Sequence, residues 1–273
     1  MKRVARRQVL ASLGLFAGTG VLTGCPSSSR PPRRDQKDGS QSHQWAYVEL
    51  TPELVAKKAY ELFPHGGCMY GVAGGIITML DEQVGEPYRS FPLEMMRYGA
   101  GGTAGWGALC GALNGSAAII GLLQATKQSP LKRLFGGFEK PAWYKSVGKV
   151  FTWYEGAELP TYQPEDTGNP PHIASSVAGS VLCHVSLNNW CESSGHKALG
   201  PKRVERCRRL TADVAMKTVE VLNEGLKGTG PSDRLSPSVQ SCNECHGREG
   251  LKDSMGKMNC SACHELPEKH PQR

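Results

Sequence analysis

The carboxyl-terminal segment carries the pattern C-x-x-C-H twice: Cys242, Cys245 and His246, then Cys260, Cys263 and His264. Two cysteines three apart can each form a thioether to one vinyl group of a haem, and the histidine that follows reaches the iron. No other feature limits the fold as strongly. From residue 230 onward the large apolar side chains are little more than Leu235, Val239, Leu251, Met255, Met258 and Leu266. A stretch this poor in apolar surface cannot offset its own ordering entropy. Two covalently bound porphyrins would supply the missing core. Attachment sites this close in sequence would hold the two haems near enough to exchange electrons.

The spacing is also close to that of a zinc ribbon, C-x2-C-x14-C-x2-C, and each pair alone matches a thioredoxin-like dithiol. Zinc held by four thiolates needs no histidine behind each pair. No strand-rich pattern surrounds the segment, as either of those folds would require. The expectation is therefore two haem c groups on Cys242, Cys245, Cys260 and Cys263, with His246 and His264 as axial ligands.

The amino terminus reads as a targeting segment over residues 1–24. Lys2, Arg3, Arg6 and Arg7 precede an apolar run from Val9 to Leu22 that is short and glycine-containing for a membrane span. Arg6 and Arg7 look like a twin-arginine export signal. Leu22, Thr23, Gly24 and Cys25 resemble a bacterial lipobox, in which cleavage leaves Cys25 as a lipid-modified first residue. An ordinary signal peptide cut elsewhere is the plainer alternative. A lipid-modified Cys25 would tether the domain to a bacterial membrane, on the periplasmic side, without a spanning helix. Twin-arginine export carries folded cargo. Haem is attached outside the cytoplasm, whereas an iron–sulfur cluster is built inside it, so the signal type hints at a second cofactor in the body of the chain.

Residues 25–45 read as a flexible linker, in which Arg30, Arg33, Arg34 and Lys37 stand with Asp35 and Asp38 among them. Such a run suits a solvated spacer drawn towards anionic headgroups better than a nucleic-acid patch. The formal charge of +7 includes the four leader cations, so the mature chain is near neutral. Nothing else points to a nucleic-acid partner.

Setting aside Cys25 and the four tail cysteines leaves Cys68, Cys110, Cys183, Cys191 and Cys207. An exported chain makes disulfides the plain expectation, but five cannot all pair, and a body of this size needs no staples. Four ligands to a cluster plus one spare thiol fits equally well. Buried free thiols packed as small core residues are a further possibility. The count alone decides nothing.

Residues 46–229 read as helices. Thr51 and Pro52 open one, with an N-cap hydroxyl and proline at the first helical position. A second helix begins near Cys68 and runs through Ile76, Ile77 and Leu80, and a shorter one carries Met95, Met96 and Tyr98. The most apolar stretch, Trp106 to Gln124, is expected to be a helix with Gly107, Gly111 and Gly115 on one stripe, permitting close helix approach. Its length, with Asn114 and Ser116 in the middle and no flanking basic cluster, favours a buried helix over a membrane span. Cys183 to Trp190 and Pro201 to Leu226 complete the set. The latter aligns Val204, Cys207, Leu210, Val214 and Val221, with Thr218 the only polar member. A loop rich in proline and glycine runs from Gly156 to Pro171, and no strand is convincing. The expected fold class is all-α: a helical domain over 46–229, then an irregular dihaem-binding segment over 230–273.

The body also resembles a known family. His65 through Cys68, the glycine-rich run from Gly99 to Gly115 with Cys110 inside it, Gly179 to Cys183, and Cys207 to Ala215 are similar to the redox-active C_GCAxxG_C_C family. The match spans most of residues 50–226, and the run into Cys110, Gly111 and Ala112 is its most specific part. With two haem motifs appended and Cys183, His184, Val185 and Ser186 in the centre, the whole chain resembles the split-Soret cytochrome c family. That resemblance implies a homodimer carrying two bis-histidine haems per subunit, packed edge to edge, with distal ligands donated across the interface. It also implies an iron–sulfur centre of the two-iron type in the helical domain. Family positions fall on Cys68, Cys110, Cys183 and Cys207. Cys191, eight residues beyond Cys183, could replace one of them, so which four bind iron stays open.

Each haem iron needs a sixth ligand. Six histidines remain: His43, His65, His172, His184, His196 and His270. His184 stands first, because it adjoins Cys183 in a helix close to the expected redox core, and His65 second. Met255 and Met258 are the methionine alternative, which would raise the potential. The expected function is electron transfer between redox protein partners, the haems and the cluster. The competing reading is a reductase of a small oxyanion or peroxide with one open iron site. No arginine or lysine constellation and no acid–base pair marks such a site, so an electron carrier is expected ahead of an enzyme, which would be an oxidoreductase. A zinc- and disulfide-stabilised scaffold without redox work is the third reading.

Overall fold

The computed structural model describes residues 45–124, 141–165, 172–228, 235–247 and 256–265. The export signal, Cys25, most of the linker, His43 and His270 lie outside these residues. The described residues all belong to one compact unit, Ser42–Arg273.

Helix α1 (Pro52–Val84) is two helices joined at a kink. Gly67 has φ 81° and ψ −164° inside it, and Pro64 removes a backbone donor one turn earlier. A new helical segment therefore starts at Cys68, as its sequence suggested. The Thr51 side chain makes no capping hydrogen bond, so the start rests on Pro52 alone.

The glycine-rich run departs from expectation. Helix α2 begins only at Gly111 (Gly111–Gln124). Before it, Gly101, Gly102, Thr103, Ala104, Gly105 and Gly107 all have positive φ, which no right-handed helix tolerates. Trp106 is thrown outward and is 85% exposed. The helical stripe of glycines thus reduces to Gly111 and Gly115. A Cβ at Gly115 would lie 2.8 Å from the Met69 carbonyl oxygen, and one at Gly111 would run into the Gly99 carbonyl. Both mark close approach of backbone to backbone.

Helix α3 (Ala142–Gly156) was not foreseen. Trp143, Tyr144, Val147, Phe151, Trp153 and Gly148 give it low intrinsic helix propensity, and apolar residues on several faces blur its period. Tertiary packing decides: Val150 and Tyr154 are completely buried. Helices α4 (Cys183–Ser194) and α5 (Pro201–Leu226) follow. Short 3-10 turns cover Tyr88–Ser90, Leu93–Gly99 and Cys260–Ala262. Strands β1 (Glu158–Leu159) and β2 (Ser176–Val177) pair antiparallel across the foreseen loop. The fold is mostly helical, with this small addition.

α1 packs along α5, α2 lies against both, and α3 covers α2 and α5. Val72, Ile76 and Leu80 of α1 meet a core that includes Leu113, Ile119 and Ile120 of α2, and Leu210, Val214 and Val221 of α5. Each such side chain contributes roughly 1.5–3 kcal/mol of transfer free energy when fully buried. The foreseen α5 stripe faces this core, except that Val204 at its start is half exposed. Thr218 is accommodated because its Oγ1 donates to the Val214 carbonyl at 2.6 Å and lies 2.7 Å from Ser116 Oγ of α2. Among the described residues, no helix is long and apolar enough to cross a membrane.

Helix α6 (Pro237–His246) and the Cys260–Ala262 turn pack on each other. Val239 is the one buried residue described in this segment, in keeping with its lack of apolar side chains.

Candidate redox centre

Three of the body cysteines sit at starts of helical segments. Cys68 opens the second half of α1, Cys110 directly precedes α2, and Cys183 is the first residue of α4. Unpaired N–H groups at such positions favour negative charge on sulfur. At Cys110 the Leu113 and Ala112 backbones face the sulfur and favour its thiolate. Cys207 reaches the same place from the second turn of α5.

Backbone hydrogen bonds fix the approach. Leu109 and Leu182 form an antiparallel bridge. Cys110 N donates to Val181 O at 2.9 Å, Cys183 N to Ala108 O at 2.7 Å, and His184 N to Gly107 O at 3.1 Å. The glycine-rich loop is thereby stapled to the start of α4, and a Cβ on Gly102 would lie 2.6 Å from the Cys183 Cβ.

The four sulfurs interact with one another. Cys68 faces Cys207 and Cys110, and Cys183 faces Cys110 and Cys207. The interaction between the Cys68 and Cys207 sulfurs pushes the Cys68 thiol up and holds Cys207 well below the usual thiol range, aided by Arg206 and Arg203. Cys183 is pushed up to about 12, first by burial and then by its neighbouring sulfurs. Burial likewise raises Cys110. Cys191 lies two turns further along α4, about 12 Å down the axis at 1.5 Å per residue, and does not share this meeting point.

A positive wall stands beside the sulfurs. Arg206 is 2% exposed. Its guanidinium lies 4.0 Å from Cys207 Sγ and donates to Ser186 Oγ at 2.8 Å. The Tyr154 hydroxyl is 2.9 Å from Ser186 Oγ and within hydrogen-bond reach of Cys110. The Nε atoms of Arg203 and Arg206 are buried without a hydrogen-bond partner, which costs free energy unless an acceptor faces them. Among the described residues, no three His, Cys, Asp or Glu side chains close on a point that could hold one metal ion. A group of several iron atoms divides its thiolates between irons, and four thiols that face one another are the donor set it takes. An anionic cluster among four thiolates would also give the two orphaned Nε–H groups an acceptor. The residues present fit such a group.

The haem motifs adopt compact turns. Cys242, Cys245 and His246 share one face of the last turns of α6. Cys260 opens the 3-10 turn, and His264 N donates to Cys260 O at 3.0 Å. The Cys242 and Cys260 sulfurs face each other, so the first cysteines of the two motifs adjoin. Cys245, Cys263 and His264 are exposed, and His246 is partly so.

His184 is exposed, and its Nδ1 lies 2.8 Å from the Gly107 carbonyl oxygen. His65 is exposed just before the α1 kink, and His172 is exposed in a loop. His196 is exposed and packs on the Trp190 ring with centroids 5.7 Å apart. Met95, Tyr98 and Trp106 form exposed apolar surface along the segment that leads to Gly107. Sequence reasoning missed Tyr154, Ser186, Arg203 and Arg206. The two arginines could have been flagged by standing next to and one turn before Cys207; Tyr154 had no local signal, because it comes from the unforeseen helix.

The model of the redox-active protein family C_GCAxxG_C_C matches residues 70–221, beginning just after Cys68 and enclosing the other three sulfurs. Split-Soret cytochrome c of Desulfovibrio desulfuricans is 33% identical over 282 residues, spanning 96% of this chain and 94% of that one. This chain belongs to the split-Soret cytochrome c family. A solved structure, described as showing a novel iron centre in the split-Soret cytochrome c from D. desulfuricans, matches with a TM-score of 0.72 and 32% identity. The match covers 84% of this chain and 93% of that one. The mostly helical fold is thus the split-Soret cytochrome fold.

Proposed function

We propose that this split-Soret cytochrome family member is a periplasmic, membrane-tethered electron carrier. Electron transfer as the class of chemistry follows from belonging to a cytochrome family. The finer parts rest on the residues. In this reading Cys242, Cys245, Cys260 and Cys263 attach two haem c groups whose proximal ligands are His246 and His264. Cys68, Cys110, Cys183 and Cys207 would hold an iron–sulfur cluster of the two-iron type. Once bound, these groups supply one-electron chemistry. The protein's own part is to hold the thiolates at fixed separation, to offset their charge with Arg206 and Arg203, and to keep water out with Tyr154 and the surrounding core.

The observation that carries the proposal is the convergence of four thiols beside two buried arginine Nε–H groups that have no partner. The relative's iron centre supports it. Export by the twin-arginine route and a lipid anchor at Cys25 rest on Arg6, Arg7 and the lipobox-like sequence, outside the described residues. A homodimer is supported by the exposed Trp106, which precedes the Gly107 that holds His184; the outer ring nitrogen of His184 would then ligate a haem of a second copy. His65 is the other distal candidate.

The test is metal and haem analysis of mature protein from a host competent in haem attachment. Two haems per chain are expected, together with non-haem iron and acid-labile sulfide. Cys207→Ser should lose the non-haem iron, and Cys191→Ser should keep it. Zinc in place of iron, or an unmodified carboxyl-terminal segment by mass spectrometry, overturns the proposal.

A further inference from the structure

Glu155 ends α3 next to Tyr154, yet the two side chains serve different partners. Tyr154 reaches Ser186 and Cys110. Glu155 is 9% exposed, and its Oε1 accepts the Asn259 backbone N–H at 3.2 Å. Asn259 immediately precedes Cys260. The Val181 backbone also faces the carboxylate, while the Glu155 carbonyl accepts from Gly179 N at 3.0 Å. One residue thus joins α3, the segment that leads into Cys183, and the turn that carries the second C-x-x-C-H motif.

Asn259 passes the constraint on. Its Oδ1 accepts from Ser261 N at 3.2 Å and from Ser261 Oγ at 2.7 Å, which closes the Cys260–Ala262 turn. A second tie runs in parallel, for the Lys257 ammonium sits 4.2 Å from the centre of the Tyr144 ring on α3. With Val239 as the only buried residue described in this segment, apolar packing does little to orient it. A carboxylate held nearly out of water is costly unless donors surround it. Here the Asn259 backbone N–H donates to it, with the Val181 backbone facing it, and a bond to a charged acceptor is stronger than a neutral one.

We infer that Glu155 is a positioning residue that clamps the second C-x-x-C-H turn to the helical body. The clamp belongs to the chain itself; only its consequence, a haem at Cys260 and Cys263 held at fixed separation from the thiol centre, rests on the proposed function. Adjacent residues of one helix then orient both redox segments.

The test is amide hydrogen exchange on full-length haem-loaded protein, with the midpoint potential of each haem measured alongside. Glu155→Ala should speed exchange across residues 256–265, leave α1 protected, and shift the potential of one haem while sparing the other. Glu155→Gln, which keeps an acceptor oxygen, should restore most of the protection. Glu155→Asp keeps the charge but withdraws it by one methylene; it should release the turn as the alanine does, and it serves if the alanine variant fails to fold. Wild-type exchange across 256–265 in both the alanine and aspartate variants would overturn the clamp. Haem content is scored separately: protein without haem defeats the cofactor reading, while exchange at 256–265 still reports on the clamp.

Discussion

One carbonyl oxygen, that of Gly107, holds His184 twice: the His184 backbone N–H donates to it at 3.1 Å and the ring Nδ1 lies 2.8 Å away. The ring nitrogen must carry its proton on Nδ1 to make that bond, which leaves Nε2 as the lone-pair nitrogen facing outward. Histidines that ligate metals are typically oriented by such a bond from the other ring nitrogen. Gly107 is suited to the task, because its φ of 68° aims the carbonyl and is costly for any side-chain-bearing residue.

If His184 supplies a sixth ligand, His184→Ala opens one haem per chain. Carbon monoxide should then bind to half of the haem in reduced protein, where the parent protein binds none, and a high-spin band should appear. Gly107→Ala should give the same change in weaker form, since its Cβ would lie 3.0 Å from the His184 Cβ. Unchanged low-spin spectra in both variants would remove His184 from the ligand set.

Arg206 presents a fixed positive charge to the thiol centre at almost no exposure. If that centre holds the proposed cluster, the nearby cation favours its more reduced, more negative form, so Arg206→Met should move the non-haem potential to lower values. Arg206→Lys keeps the charge but loses the planar fork that reaches Cys207 and Ser186 together, and a smaller shift in the same direction is expected. The check is a redox titration followed by electron paramagnetic resonance. A potential that ignores both substitutions would mean that the guanidinium does not face the cluster.

How much of this was legible in the sequence follows from the range of each signal. The α5 helix was read at its full extent, because its apolar period is long and its start is marked by Pro201. The break before Cys68 was legible from Pro64 and adjacent glycines. The run from Trp106 to Gly111 misled, because a small-residue spacing of four fits a helix as well as a chain of left-handed turns, and only packing against Gly99 and Cys183 selects the turns. Cysteine positions carried the thiol centre, whereas its arginine and tyrosine partners depend on contacts between α3, α4 and α5 that no local pattern encodes.

The backbone approach at Gly111 sets a steric prediction. A methyl group there would collide with the Gly99 carbonyl oxygen and lie 3.2 Å from the Cys68 Cβ. Gly111→Ala should therefore destabilise the fold by about 1–3 kcal/mol, the usual range for overpacking, and lower the iron content of the thiol centre. Gly121→Ala on the same helix meets nothing within 4 Å; it should leave iron content unchanged and be neutral or slightly stabilising. Equal behaviour of the two variants in thermal unfolding would rule out the proposed contact.

Alkaline stability should report on Tyr88. Its ring is buried, Trp45 packs edge-on at 5.1 Å, and its hydroxyl donates to the Ala46 carbonyl at 2.7 Å. Burial pushes its pKa up to about 12 from an ordinary value of 10.0. The folded value lies above the unfolded one, so from pH 10 to 12 the unfolded chain releases a proton that the native chain keeps. Stability contributed by this phenol is therefore complete below pH 10 and is lost as the pH rises through 12. Tyr60, raised to about 12 by burial and by Glu205, adds to the same decline. Tyr88→Phe removes one of these groups and one hydrogen bond, so at neutral pH it should cost about 1 kcal/mol. Above pH 10 the gap between parent and variant should narrow, because the parent loses what the variant never had. Denaturant unfolding at a series of pH values measures that gap directly, and a gap that stays constant to pH 12 would show that Tyr88 is not the group responsible.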